Sequence, residues 1–443
     1  MVPYSSSSDS DFSSDGIDMD HCFRPPNLPL SPTADISNLS DSTDATEMNT
    51  KIMYIDKKLF RHGNRCPEKS NLYKSSPYYN DSYFKPFGFG QLTNEGKLKV
   101  YNLGKEIRQR YSGFLDDEYS IDLISARSSD FNRTKASLQT MLSGLFPPTK
   151  DLTWLPGFNW QPIPYEYVER NSDQELFCFG CQNWDPTLDD FLATKDLRKY
   201  DKLLATLTNK TGEPYDTLLK AYYLYFGFQI LTELNYTLPD WAHDVYPYPL
   251  KNLTLDYYGM ITGSTTLRQM CGGYLLKHIL DDTQSKIDGK LPAKKMFIWS
   301  GHENNVACLL RNMNLLKEDM VPNYGSFVAL ELHNINSTYG FKIYFKNDDN
   351  EPELLTVPNC NSFCPLKKFE ELVEENIPEN ISLCRGTKSK FSYLILTIHF
   401  FSNTVLIGHV CHLQGIIFLS LSLSLSLSPL SLSLSLSLSS MEL

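Results

Sequence analysis

Three side chains with phosphate chemistry, Arg61, His62 and Arg65, lie together directly after the apolar pair Leu59 and Phe60. A guanidinium offers paired N–H donors to phosphate oxygens. An imidazole can attack phosphorus when a hydrogen bond holds its second nitrogen. The spacing therefore indicates a pocket for a phosphate dianion, with a histidine as the nucleophile.

The other residues of this turn fit the same interpretation. Gly63 lets the backbone approach a ligand closely, and Pro67 fixes the chain where it leaves the turn. An Arg-His-Gly tripeptide alone is equally compatible with a surface turn of scattered charges. The full pattern R-H-G-x-R-x-P after a strand favours the phosphate pocket.

The surrounding sequence alternates between strand and helix patterns, which predicts an α/β fold with a largely parallel sheet. Thr93 is a suitable N-cap for a helix, and two prolines stop the helix that ends near residue 146. The predicted strands are 51–60, 326–333 and 341–348, and the segment 119–130 is predicted to be a short strand followed by a polar turn. The predicted helices are 90–111, 132–146 and 265–283, and the segment 294–313 is predicted to be a strand, a turn and a helix.

Arg127 and His302 are the candidate partners of the turn. Each follows an apolar, strand-like run, at 121–124 and 296–299. In open α/β sheets ligands bind at the carboxyl ends of the strands. Both side chains are therefore expected to converge on His62.

Composition divides the chain into three parts. Residues 1–50 are rich in Ser and Asp and are expected to be disordered. Residues 51–387 form the globular domain, and an aromatic-rich stretch at about 150–260 suggests an inserted helical lobe. Residues 388–443 form a tail that ends in alternating Ser and Leu, the pattern expected of a translated CT repeat. Its stretch at 391–419 contains no Asp, Glu, Lys or Arg and is either a membrane anchor or, as favoured here, a non-native tail.

Charge and cysteine content bound the function and the compartment. The net charge of -11 argues against a nucleic-acid partner. Ten cysteines and eight Asn-x-Ser/Thr sequons indicate a secretory compartment, although residues 1–30 contain no signal peptide, which suggests an incorrect or alternative N-terminus. The sequons begin at Asn38, Asn80, Asn132, Asn209, Asn235, Asn252, Asn336 and Asn380.

These motifs resemble those of the histidine acid phosphatases, branch 2 of the histidine phosphatase superfamily. RHGNRCP matches the family signature, and the segments ARSSDFNRT, LPDWA, SGHENNVACLL and VPNCNSFCPLKKFEELV follow in the family's order. The resemblance covers about residues 51–385 and is nearest to the animal lysosomal, prostatic and insect venom enzymes. It implies a three-layer α/β/α, phosphoglycerate mutase-like domain with a mostly parallel central sheet and a helical cap.

The resemblance also implies roles for the site residues. His62 would take the phosphoryl group to give a phosphohistidine, which water then hydrolyses. Arg61, Arg65 and Arg127 would hold the phosphoryl oxygens together with His302. Glu303 would protonate the leaving group, in place of the Asp that is usual in the family.

Several neighbouring positions are less informative. Cys66 stands where a hydroxyl residue is common and is not needed for the mechanism. Asp130 and Arg133 match family positions, but a helix cap and a structural arginine are equally good interpretations. Glu303 could also be a charge favoured by a helix N-terminus.

Family likeness implies a Cys360–Cys364 disulfide and a second one that joins Cys384 to Cys178 or Cys181. Cys271 and Cys308 are expected to be buried free thiols. The remaining histidines show no metal-ligand spacing, so neither a metal nor another cofactor is expected.

The leading hypothesis is a secreted or lysosomal acid phosphatase that hydrolyses small phosphomonoesters, with the lobe shaping substrate choice. A phosphate-binding or secreted antigen-like protein on a catalytically impaired scaffold is the main alternative. Mutase or transferase chemistry on the same phosphohistidine is a third hypothesis. A homodimer is compatible with the sequence.

Overall fold

The computed structural model describes residues 51–385. The N-terminal segment 1–50, the hydrophobic stretch 391–419 and the Ser-Leu repeat lie outside the described residues. Within residues 51–385, none of the helices combines the length and the apolar character needed to cross a bilayer.

A mixed sheet forms the centre of the domain, in the strand order β3-β2-β4-β1-β5-β6-β7, with β8 paired to β6. β1 and β2 both pair parallel with β4, and β3 pairs parallel with β2. β5, β7 and β8 pair antiparallel with β6. The strands are β1 (Lys51–Arg61), β2 (Ile124–Ser128), β3 (Glu166–Tyr167), β4 (Met296–Gly301), β5 (Phe327–Ile335), β6 (Thr338–Lys346), β7 (Glu353–Leu355) and β8 (Cys364–Pro365).

Helices cover both faces of the parallel strands, because successive side chains of a strand point to opposite faces. Phe60 and Ile298 pack with α1 and α2 on one face. Leu59 and Trp299 pack with α8 and α9 on the other. The helices are α1 (Asn94–Arg110), α2 (Asn132–Leu145), α3 (Trp184–Ala193), α4 (Asp201–Thr211), α5 (Leu218–Glu233), α6 (Leu250–Ile261), α7 (Thr265–Arg268), α8 (Tyr274–Ile287), α9 (Glu303–Asn312) and α10 (Leu366–Val373). The predicted α/β class with helices on both faces is confirmed.

Helices α3 to α6 lie within the range predicted for the inserted lobe. Their buried side chains belong to one core that is rich in leucine and tyrosine. Ala307 and Cys308 of α9 belong to that same core. The lobe is therefore packed against the helix that begins beside the candidate site.

One helix that the sequence predicts as continuous is interrupted in the structure. The sequence predicts a helix over 265–283, but the chain kinks between α7 and α8, where Cys271 leaves the helical region and Gly272 adopts φ +94°. A Cβ at Gly272 would lie 3.1 Å from the carbonyl carbon of Cys308. The kink thus allows close packing against α9.

The structure decides between the two disulfide partners that the sequence leaves open for Cys384. Cys181 is the partner of Cys384, and Cys360 is bonded to Cys364. Cys178, Cys271 and Cys308 are buried free thiols, as is Cys66. The Cys181–Cys384 bond ties the lobe to the end of the described chain.

Candidate active site

The R-H-G turn is fixed by close backbone contact with the start of α1. β1 ends at Arg61, and its partner in β4 is Gly301. A Cβ at Gly96 would lie 2.0 Å from the carbonyl oxygen of Asn64. The Thr93 side chain caps α1 by accepting from the Gly96 amide, and the Thr93 amide donates to Asn64. Only glycine permits this approach, which holds the turn in place.

His62 is almost fully buried at the end of β1. Its Nδ1 lies 2.8 Å from the Gly63 carbonyl oxygen. Because a carbonyl can only accept, Nδ1 carries the proton and Nε2 keeps its lone pair. The imidazole is therefore held in the tautomer whose Nε2 can act as a nucleophile.

Two guanidiniums beside His62 keep unpaired donors. Arg61 donates from Nη1 to the carbonyl oxygen of Pro322 at 2.6 Å, and Arg65 donates from Nη1 to Asn71 at 2.9 Å. Within residues 51–385, Nε and Nη2 of Arg61 and Nε of Arg65 are buried without a hydrogen-bond partner. A buried cationic donor without an acceptor lowers the stability of the fold unless a ligand supplies the acceptor. They fit an anion such as phosphate.

Arg127 makes different contacts from those predicted. The sequence places it just past a strand, but β2 runs from Ile124 to Ser128, so Arg127 lies inside the strand and that prediction is wrong. Its guanidinium donates to Asp173 at 2.5 Å and to Glu175. These carboxylates, rather than the His62 ring, receive the hydrogen bonds of Arg127.

Arg133 is the arginine that the structure brings to His62. It lies in the first turn of α2, beyond the end of β2. Its Nε donates to Nε2 of His62 at 3.1 Å, and its Nη2 lies 3.3 Å from Nδ1 of His302. The sequence signal for Arg133 is the Asn-Arg-Thr segment after the strand, which fits a structural role and a substrate role equally well.

His302 lies beside His62, with the two ring centroids 5.4 Å apart. It is the N-cap of α9, and its backbone amide donates to Asn305. Since Arg133 donates to Nδ1, the proton of His302 lies on Nε2, which is 3.0 Å from the Ser129 hydroxyl. The predicted convergence of His302 on the turn is confirmed.

Glu303 is the first residue of α9, next to this pair. One carboxylate oxygen accepts from the Tyr222 hydroxyl at 2.8 Å, and the other lies 3.5 Å from Nε of Arg61. Burial acts to raise the pKa of Glu303, but Arg61, a backbone hydrogen bond and the Tyr222 hydroxyl together hold that pKa below its ordinary value. Sequence patterns gave no signal for Tyr222.

Helix α5 of the lobe reaches the site at three points. Besides the Tyr222 hydroxyl, the Tyr223 carbonyl accepts from Asn71 at 3.0 Å, and Glu233 accepts from Asn64 at 3.3 Å. The lobe therefore contacts both Glu303 and the turn that carries His62.

The electrostatics of the site favour neutral imidazoles. Burial, and then the positive charge of Arg133, hold the pKa of His62 well below its ordinary value. The pKa of His302 is lowered for the same two reasons. Both shifts favour the neutral imidazole, which is the form in which His62 can act as a nucleophile.

Ligand atoms of His62, His302 and Glu303 lie within 4.8 Å of one another, which is a spacing that could hold a metal ion. However, Arg133 bridges the two imidazoles, and Arg61 approaches Glu303. A cation placed there would face these guanidiniums at short range. The donor set suits an anion better than a cation.

A family comparison agrees with this geometry. The family model for the histidine phosphatase superfamily, branch 2, matches residues 57–346. The chain belongs to this superfamily. The match includes the R-H-G turn, Arg133 and the His302–Glu303 pair, so the predicted family is confirmed.

Relatives within this superfamily are acid phosphatases. Venom acid phosphatase Acph-1 of Apis mellifera is 37% identical over 340 residues, which cover 73% of this chain and 85% of the relative. Prostatic acid phosphatase of Rattus norvegicus is 32% identical, with 75% and 88% covered. Lysosomal acid phosphatase of Rattus norvegicus is 32% identical, with 73% and 77% covered.

Solved structures of phytases share the fold at low identity. The Klebsiella sp ASR1 phytase has a TM-score of 0.55 and 18% identity, covering 75% of this chain and 99% of the phytase. The Hafnia alvei phytase in complex with tartrate has a TM-score of 0.56 and 16% identity, covering 76% and 98%. At this identity the likeness establishes the fold alone.

Proposed function

We propose that this protein is an acid phosphatase that hydrolyses phosphate monoesters through a phosphohistidine on Nε2 of His62. The observation that carries the proposal is the buried imidazole, held in one tautomer close to Arg61 and Arg65, which keep N–H donors that have no hydrogen-bond partner among residues 51–385. The acid phosphatases among its relatives support the reaction class.

In this proposal Arg61, Arg65 and Arg133 hold the three phosphoryl oxygens, with His302 beside them. Arg133 replaces Arg127 in the role first assigned from the sequence, because its N–H groups point at His62 and His302. Such preorganised charge stabilises the phosphoryl group as its bond to the ester oxygen breaks and its bond to nitrogen forms.

Proton transfer completes the cycle. As Nε2 of His62 bonds to phosphorus, the ester P–O bond breaks, and Glu303 in its acid form donates a proton to the departing oxygen. The carboxylate left behind accepts a proton from the attacking water, whose oxygen displaces His62 and leaves inorganic phosphate. Because its pKa is lowered, Glu303 is protonated mainly at acidic pH.

The test is His62→Ala, measured with p-nitrophenyl phosphate, together with trapping of the phosphoenzyme. The variant should lose turnover, and wild-type protein quenched in alkali should carry an acid-labile phosphate on His62. Turnover near wild type in the variant would overturn the proposal.

The alternative of a phosphate-binding protein on an impaired scaffold depends on Glu303. If Glu303→Ala leaves the turnover rate unchanged while inorganic phosphate still binds, Glu303 is not the proton donor and this alternative gains support. A large loss of rate with retained phosphate binding supports the enzyme.

We also propose that the protein enters the secretory route and acts outside the cytosol or in lysosomes. Relatives named for venom and lysosomes support this, as do two disulfides. The asparagines of the seven sequons within the described residues are all exposed, as glycosylation requires. Peptide mapping of glycans and of both chain ends tests the proposal; unmodified sequons throughout would count against it.

A further inference from the structure

A carboxylate lies at the mouth of the site and shares Arg133 with it. Glu68 accepts from Nη1 of Arg133 at 2.7 Å. The Glu68 side chain is 35% exposed, whereas that of Arg133 is only 9% exposed. One edge of the Arg133 guanidinium therefore faces the two imidazoles, while the other faces a carboxylate at the surface.

A cavity of about 260 Å³ opens at this point, and Glu68, Asp130, Phe131, Arg133 and Arg170 line it. The Phe131 ring contacts two guanidiniums. The Cζ atom of Arg133 lies 4.5 Å from the ring centroid, and that of Arg170 lies 3.8 Å from it. The same ring lies 4.7 Å from the ring of His302. Arg133 and Phe131 thus connect this cavity with the two imidazoles.

The two carboxylates of the cavity differ in how their charge is compensated. Asp130 is paired with Lys135 at 2.6 Å and also contacts the backbone amide of Arg170. Glu68 pairs with Arg133, which also serves the phosphate site. When a bound phosphoryl group interacts with Arg133, the positive charge of Arg133 compensates the negative charge of Glu68 less completely. The charge of Glu68 then acts more strongly on a group bound in the cavity.

We propose that this cavity receives the leaving group and that Glu68 is a specificity-determining residue, which disfavours leaving groups carrying further negative charge, such as a second phosphate. It favours monoesters whose leaving group is neutral or cationic. The inference rests on the proposed function, because it concerns the leaving group of that reaction. A like charge placed against the substrate's own is the usual means by which a site rejects a competitor.

The experiment compares phenyl phosphate with 1,4-phenylene bisphosphate, whose leaving group carries a second, negatively charged phosphate. The variants are Glu68→Gln, which is neutral, and Glu68→Lys, which reverses the charge. The kcat/KM ratio of bisphosphate to monophosphate should rise about fivefold in Glu68→Gln, the size expected for unit charges near a surface. It should rise further in Glu68→Lys and shrink at high salt.

Asp130→Asn is the matched control, because it removes a carboxylate from the same cavity whose charge Lys135 already compensates. In this variant the kcat/KM ratio of bisphosphate to monophosphate should change by less than about twofold. An equal change in Asp130→Asn would assign the effect to the general field of the cavity and overturn the role of Glu68.

The two proposals fail in different ways. If the wild type hydrolyses neither substrate, the phosphatase itself is refuted. If it hydrolyses phenyl phosphate but both Glu68 variants, with wild-type thermal midpoints, keep the wild-type ratio, only the selectivity role is refuted. Should Glu68→Gln fold poorly, the ratio in Glu68→Lys decides alone.

Discussion

Replacement of Arg133 by alanine tests whether this arginine, rather than Arg127, holds the phosphoryl group. Arg133 directs two N–H groups at His62 and His302, where phosphoryl oxygens would lie. Each charge-assisted hydrogen bond contributes about 1.5–3 kcal/mol, so the loss of two should lower kcat/KM by about a hundredfold to ten-thousandfold. Arg127→Ala should keep kcat/KM within about tenfold and mainly lower the thermal midpoint, because it strands Asp173 and Glu175.

The assay is the initial rate of p-nitrophenyl phosphate hydrolysis between pH 4 and 7, with inhibition by inorganic phosphate and thermal midpoints measured in parallel. After burial, the charge of Arg133 is the largest cause of the lowered pKa of His62. Its removal should raise that pKa, so the acidic limb of the kcat/KM profile should move to higher pH. The reasoning would be refuted if Arg127→Ala lowered kcat/KM a hundredfold or more while Arg133→Ala kept kcat/KM within tenfold of the wild-type value.

Three other changes have definite expected outcomes. Glu303→Gln should lower kcat for an alkyl phosphate by about a hundredfold or more but affect p-nitrophenyl phosphate much less, because nitrophenolate leaves without a proton; equal losses for both substrates would contradict the role of Glu303. Burial lowers the pKa of Lys57 to about 7 from 10.5, so the buried ammonium costs stability below pH 7, and this cost declines as the pH rises toward 10.5. Lys57→Met should therefore stabilise the fold in urea unfolding by about 2–3 kcal/mol more at pH 5 than at pH 9, although the Ile279 carbonyl loses its donor at both; a gain that does not vary with pH would contradict this. Gly96→Ala should destabilise the protein by about 2 kcal/mol or more, since its Cβ would overlap the Asn64 carbonyl oxygen, and a thermal midpoint equal to that of the wild type would argue against the close approach.

The sequence was most informative where the chemistry lies in consecutive residues. Arg61, His62 and Arg65 share one turn, so a strand that ends at Arg61 brings them together whatever the rest of the fold does. His302 could be placed because the fully buried run of β4 ends immediately before it. Both inferences needed only the end of a strand and the direction of the sheet.

The choice between Arg127 and Arg133 needed more than the sequence pattern supplied. The two arginines are six residues apart, and the apolar run at 121–124 suggested a strand that ends too early. A strand that continues to Ser128 keeps Arg127 within the sheet, and α2 then presents Arg133 from its first turn. Strand ends are the least certain feature of a periodicity argument, and here the assignment of the arginine depended on one.

The contact between Tyr222 and Glu303 has a consequence for protein engineering. Helix α5 supplies the hydroxyl that binds Glu303, the proposed proton donor, and also accepts hydrogen bonds from Asn64 and Asn71 of the turn that carries His62. A chimera in which the lobe of another enzyme replaces this lobe, or cap, would therefore change part of the surroundings of Glu303 and His62 together with the residues that shape substrate choice. Such grafts should succeed only when the donor cap carries a matching tyrosine, so that cap and acid are exchanged as a pair.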